Sequence, residues 1–224
     1  MVNDINYWMF DWDGCVADTL GSWAMSVKNA ARAFNLDLSD RQLKEQFRDL
    51  GSARNHGLPE RHVDEYIGSV RKLAMENIQY ASISEGAEEL FISLRSNNRK
   101  LAIVTSAPKW VRGMVHRKGL GGYFDAIVTG EDVGEQRLKP HPYPLEMALK
   151  MMRGRKESAM MVGDSPSDII AAVHAGVKST RFAQKDGFRL YGDEDFAGLN
   201  PNYTVSSFRE IMRISSPRAR SRLL

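Results

Sequence analysis

The sequence predicts an α/β fold: a parallel sheet covered by helices on both faces, with a small α-helical insertion near the amino-terminal end. From Gly86 onward, short runs of β-branched and aliphatic residues alternate with amphipathic stretches, the pattern of strands buried on both faces. A first apolar run, Tyr7-Trp8-Met9-Phe10, is separated from the next, Leu101-Ala102-Ile103-Val104, by a long stretch with helical spacing only. At 224 residues the chain can bury a full-sized core and still carry one modest insertion.

Taken in order, Tyr7 to Phe10 reads as a buried strand, and Gly14 as the turn that ends it. Thr19 to Phe34, Ser39 to Leu50 and Glu60 to Tyr80 carry apolar residues at three- and four-residue spacing and read as helices. Ser39 with Asp40 and Pro59 with Glu60 are helix starts, while Gly51 and Gly57 punctuate the gap between them. A helix from about Ala87 to Leu94 leads into the strand Leu101 to Val104, and one from Lys109 to Lys118 into the strand Ala126 to Val128. Pro144 to Met152 is helical, Ala159 to Val162 a strand, Ser167 to Ala175 helical and Val177 to Phe182 a further strand. Right-handed crossovers bring the carboxyl ends of such strands to one edge, as in a Rossmann-like sheet. Residues 1–16 and 84–224 are therefore expected to form a discontinuous core, 17–83 a helical cap, and about 215–224 a basic tail.

Composition excludes several classes. A hydrophobic fraction of 42% and a charged fraction of 26% are those of an ordinary soluble protein. A single cysteine, Cys15, cannot form an internal disulfide, which favours a reducing compartment. No apolar run reaches the ~20 residues of a membrane span, and charged Asp4 precedes any apolar segment, unlike a signal peptide. A cytoplasmic location is expected. The net charge of +3 owes much to Arg213, Arg218, Arg220 and Arg222. Without interleaved aromatics, that tail reads as a solvated terminus, and neither nucleic acid nor a membrane is an expected partner.

Four loops at strand ends concentrate polar residues. Asp11 and Asp13 follow the first strand, and Thr105 and Ser106 follow Val104. Lys139-Pro140 comes after Ala126 to Val128, and Gly163-Asp164-Ser165-Pro166-Ser167-Asp168 follows Val162. Ligands of open α/β sheets bind at this edge. Two carboxylates at one strand end repel each other unless a cation or a proton intervenes. The bland readings are a turn at Asp13-Gly14, a helix cap at Thr105 or Ser106, another at Asp164 or Ser165, and a solvated Lys139. Their joint occurrence in order argues against coincidence. A calcium loop beginning at Asp11 fails, because its sixth position is Val16, where glycine is needed. Zinc spacing, a Gly-x-Ser-x-Gly elbow and a dinucleotide fingerprint are also absent from the sequence.

The order Asp-x-Asp-Gly, helical insertion, strand ending in Thr, Lys-Pro and Gly-Asp-x-x-x-Asp resembles the phosphatase branch of the haloacid dehalogenase superfamily, near its phosphoglycolate phosphatase-like members. The resemblance covers nearly the whole chain. It implies that Asp11 is a nucleophile toward phosphorus and Asp13 the general acid and base. It assigns the phosphoryl oxygens to Thr105, Ser106 and Lys139, with Lys139 also bridging to the nucleophile. Mg²⁺ is the implied cofactor, held by Asp11, the Asp13 main chain and Asp164, with Asp168 orienting Lys139 or a metal-bound water. Cys15 stands where the family usually has threonine.

Elementary electrostatics agrees with these roles. A carboxylate of ordinary pKa is ionised at neutral pH, so Asp11 would need no base. It must nonetheless approach a phosphate dianion, which at ~3.5 Å and an effective dielectric of ~20 opposes it by roughly 9 kcal/mol. A divalent cation and Lys139 reverse that sign.

The implied activity is Mg²⁺-dependent hydrolysis of a small phosphorylated metabolite through an aspartyl phosphate, by a monomer or homodimer. A β-phosphoglucomutase-like mutase and a pyrophosphatase are alternatives within the fold, and a non-catalytic binding module is the alternative outside enzymology. Arg48, Arg54 and His56 flank the glycine-rich gap of the cap and are candidates to meet an anionic leaving group.

Overall fold

Alternate residues of the first strand enter different apolar clusters: Trp8 and Phe10 one, Met9 the other. The two-residue period of an extended chain thus lets four residues serve a core on each face of the sheet. The computed structural model describes residues 5–184 and 188–215; the expected basic tail lies outside these beyond Ser215. β1 (Tyr7–Phe10) is followed by α1 (Thr19–Ala33), α2 (Asp40–Arg48), α3 (Val63–Ile78) and α4 (Ala87–Ser96), then by β2 (Lys100–Val104) and α5 (Trp110–Arg117). β3 (Ala126–Val128), a short α6 (Gly130–Val133), α7 (Tyr143–Met152), β4 (Ala159–Gly163) and α8 (Pro166–Ala175) come next. β5 (Lys178–Phe182), β6 (Tyr203–Val205) and α9 (Phe208–Ser215) complete the order.

The six strands are parallel, in the order β3-β2-β1-β4-β5-β6. Strand order reverses between β1 and β4, the switch point at which doubly wound sheets bind ligands. Phe10 lies level with Ile103 of β2 and Val162 of β4, so the loops leaving these three strands start side by side. On one face Phe91 of α4, Val111 of α5 and Phe208 of α9 pack with Trp8 and Phe10. On the other, Leu145 of α7 and Ala171 of α8 pack with Met9 and Val104. The expected α/β fold is the observed one.

Three local differences have clear causes. The helix expected to reach Leu50 stops at Arg48, because Asp49 turns extended and its side chain accepts from Gly51 N at 2.8 Å, starting a 3-10 turn over Leu50–His56. Glu60–His62 is likewise a separate 3-10 turn ahead of α3. The sequence reading did not anticipate β6 and α9. β6 is three residues long and gains its partner only by pairing with β5, and α9 is anchored by burial of Phe208 and Ile211.

The inserted helices α1 to α3 have an apolar cluster of their own, in which Val27, Ala31, Leu43, Tyr66 and Val70 bury together. The outgoing and returning chains run side by side. Ala17 forms an antiparallel bridge with Ile83, Asp18 N donates to Ser82 O at 3.0 Å, and Ser84 N donates to Val16 O at 2.9 Å.

Candidate active site

β1 continues its pairing by one residue, Asp11 N donating to Val162 O at 2.9 Å, and then turns sharply. Gly14 supplies the turn at φ +72°, a left-handed conformation that costs other residues strain. Gly14 N donates to Ala17 O, and Ala17 N to Trp12 O, both at 2.9 Å, closing the loop that carries Asp11 and Asp13.

The Asp11 Oδ1 atom lies 2.8 Å from Lys139 Nζ and accepts from Trp12 N at 2.8 Å. Lys139 also donates to Asp168 Oδ1 at 2.6 Å and to the Val104 carbonyl at 3.0 Å. An ammonium has three N–H groups, so all three are committed. Asp168 is fully buried, and its second oxygen accepts from Ser165 N at 3.0 Å and Ser165 Oγ at 2.7 Å. It therefore caps α8 and orients Lys139 together.

Thr105 N donates to Val128 O at 3.0 Å, and its hydroxyl accepts from Ala107 N at 3.0 Å while reaching Asp13 Oδ2 at 3.5 Å. Asp13 is held more firmly by a residue that sequence reasoning missed: Thr19, which donates to Asp13 Oδ1 at 2.6 Å. They are six positions apart in the chain. Only the turn at Gly14 brings them together, so no local signal marked the pair.

Asp11, Asp13, Thr105, Ser106, Lys139 and Asp164 line a single cavity of about 380 Å³. Its electrostatics is dominated by burial. Asp11 is pushed up to about 7 by burial and by Asp168, against the pull of Lys139. Asp13 is raised by burial, with the Thr19 hydrogen bond opposing the rise. Burial, Asp11 and Asp168 raise Asp164 well above the carboxylate range. Burial draws the Lys139 ammonium down, but Asp11 and Asp168 more than offset it and its pKa ends above the ordinary lysine value. Without a cation, Lys139 alone does not balance so many enclosed carboxylates, and Asp11 rises above the ordinary carboxylate range.

Oxygens of Asp11, Asp164 and Asp168 all lie within 4.8 Å of one another. This hard-oxygen set with excess negative charge fits a small divalent cation. Because both Asp168 oxygens already have partners, Asp11 and Asp164 are the carboxylates better placed to hold one. Cys15 is buried against the core, and burial followed by Asp11 and Asp164 drives its thiol pKa well upward, leaving it unreactive.

Of the cap candidates, Arg54 and His56 do not line the cavity. Arg54 donates to Gly51 O at 2.9 Å and pairs with Glu60 at 3.3 Å. His56 sits 3.0 Å from Gln42 and 2.9 Å from Glu45, tying its turn to α2. The Arg48 side chain lies outside the described ones. The glycine-rich gap drew attention as a ligand loop, whereas its polar residues stabilise the turn itself.

A family model described as "haloacid dehalogenase-like hydrolase" matches residues 8–182. The chain belongs to the haloacid dehalogenase-like hydrolases. It is 24% identical over 222 residues to a phosphoglycolate phosphatase of Colwellia psychrerythraea, covering 91% of this chain and 94% of that one. It is 26% identical over 227 residues to the pyrophosphatase PpaX of Bacillus cereus (strain Q1), covering 97% and 99%. A PpaX from Halalkalibacterium halodurans is 33% identical over 138 residues, 61% of each chain. Among solved structures, a haloacid dehalogenase-like family protein from Streptococcus pneumoniae superimposes with a TM-score of 0.73 at 18% identity, covering 95% and 99%. A subfamily IA hydrolase from Geobacter sulfurreducens superimposes at 0.67 and 22%, covering 96% and 98%. The chain is thus an enzyme of this hydrolase family.

Proposed function

We propose that this hydrolase is a Mg²⁺-dependent phosphatase of small phosphate monoesters that works through an aspartyl phosphate on Asp11. The observation that carries the reading is the gathering of Asp11, Asp13, Thr105, Lys139 and Asp164 around one cavity. The names of relatives, phosphoglycolate phosphatase and pyrophosphatase PpaX, agree with phosphoryl chemistry at that place.

On this reading an Asp11 oxygen attacks phosphorus, the P–O bond to the leaving group breaks, and Asp13 delivers a proton to the departing oxygen. Asp13 then takes a proton from the water that attacks the aspartyl phosphate, releasing inorganic phosphate and restoring both carboxyls. A pKa raised by burial suits a carboxyl that must both give and recover a proton. Thr105 and Ser106 supply hydroxyl and backbone donors to the phosphoryl oxygens. Lys139, with its donors committed, contributes its charge through Asp11 and fixes that carboxylate's orientation. Bound between Asp11 and Asp164 with help from the Asp13 main chain, Mg²⁺ would supply charge neutralisation at the phosphoryl group.

Residues 17–83 then act as a cap, joined to the core where Ala17 bridges Ile83. A small phosphorylated metabolite is the substrate, the cytoplasm the location, and a monomer or homodimer the working unit. The single cysteine, and described helices that are all too short or too polar to cross a membrane, support that setting.

The test is phosphate release from a panel of monoesters. Activity should require Mg²⁺, disappear with EDTA and return on re-addition. Asp11→Asn should abolish turnover, and Asp13→Asn should block completion of the cycle. Wild-type turnover by Asp11→Asn would replace the covalent route with a metal-activated water.

A further inference from the structure

Resting on the phosphatase reading, we infer that the leaving group this site selects is an uncharged, largely apolar or aromatic alcohol, not a carboxylate or a second phosphate. The cavity divides by chemistry. Beyond the phosphoryl residues it is walled by Leu20 and Trp23 of α1, Phe47 of α2, Ile78 at the end of α3, and Leu190 and Tyr191 from the segment after β5. The Trp23 and Phe47 rings meet edge to face, 4.7 Å between centroids, and Phe47 is 39% exposed at the site's mouth. An exposed aromatic edge beside a cavity is contact surface for an apolar guest.

Charge points the same way. Among the described side chains that line the cavity, Lys139 is the one cation, set against the carboxylates Asp11, Asp13 and Asp164. Its three donors are held by Asp11, Asp168 and the Val104 carbonyl, so none is free to receive a second anion. A divalent ion at Asp11 and Asp164 would be engaged with the transferred phosphoryl group. An anionic leaving group would therefore sit among carboxylates and apolar walls, with no second cation among the described lining side chains to offset its desolvation. Arg54 and His56, beside the glycine-rich gap, do not line the cavity: Arg54 pairs with Glu60, and His56 sits against Glu45 and Gln42.

The comparison uses 2-phenylethyl phosphate, phosphoglycolate and pyrophosphate with saturating Mg²⁺. The first two share a primary alkoxide leaving group, so intrinsic reactivity is matched and the difference reads recognition. We expect kcat/KM for 2-phenylethyl phosphate to exceed that for phosphoglycolate and pyrophosphate at least tenfold, chiefly through KM. Phe47→Ala, a change at an exposed position, and Trp23→Ala should each shrink that ratio severalfold by raising KM for the aromatic ester. Equal or better use of phosphoglycolate or pyrophosphate would overturn the inference while sustaining the phosphatase reading, and so would a ratio unmoved by both substitutions. Release of phosphate from none of the three would overturn both.

Discussion

The Thr19 hydroxyl donates to Asp13 Oδ1 at 2.6 Å, tying the first residue of α1 to the carboxylate proposed as acid and base. A hydrogen bond to a charged acceptor contributes about 1.5–3 kcal/mol and also fixes direction. It restrains a buried carboxyl that burial alone would push further up. Asp13 is thereby aimed by the helix that begins the insertion.

Thr19→Val should lower kcat about tenfold with little change in KM, because the shape is kept and the orienting donor is lost. Thr19→Ser should recover most of the loss. Steady-state kinetics on one monoester checks both, and a Val variant with wild-type kcat would remove Thr19 from the proton-transfer machinery.

Stability of the metal-free protein should fall as pH rises. Asp11 moves from an ordinary 3.8 to about 7 on folding, through burial and Asp168, and Asp164 is raised as well, by burial and by Asp11. Between about pH 4 and 7 the folded state thus holds protons that the unfolded chain has released, so their unfavourable contribution grows across that window. Scanning calorimetry of the EDTA-treated enzyme at pH 5.5 and 7.5 should give a lower Tm at the higher pH. Asp11→Asn should narrow the difference, and Mg²⁺ should raise the Tm most at pH 7.5.

Lys139→Ala should destabilise the fold by about 3–5 kcal/mol, since it strands the buried carboxylates of Asp11 and Asp168 without their shared ammonium. Urea denaturation reads this directly. Adding Asp168→Asn should cost less in the Lys139→Ala background than in the wild type, because one stranded charge is removed.

Gly14→Ala should weaken the proposed cation site. A Cβ there would lie 2.5 Å from Asp164 Oδ2, in a backbone at φ +72°. The left-handed conformation alone costs about 1 kcal/mol, and the clash must displace the Asp164 carboxylate or the loop. The Mg²⁺ concentration for half-maximal activity should rise at least tenfold, measured by titration of activity against free Mg²⁺.

The polar side of the candidate site was legible in the chain because each part is a local signal. Asp11 and Asp13 end an apolar run before a glycine, Thr105 and Ser106 follow another, and Asp164 to Asp168 follow a third. Parallel strands with right-handed crossovers oblige those ends to meet at one edge. β6 and α9 gave no comparable signal, because a three-residue strand and an eight-residue helix acquire their stability from neighbours distant in sequence.

What the sequence by itself determined was the order of strands and helices and the polar residues delivered to one sheet edge, since periodicity and turn residues act over a few positions. Only the tertiary structure decided that Thr19 holds Asp13, that Lys139 has no donor to spare, that Arg54 and His56 brace their own turn, and that Trp23 and Phe47 wall the cavity. Burial, charge compensation and ring contacts are set by groups far apart in the chain, and they take a value only once the helices have packed.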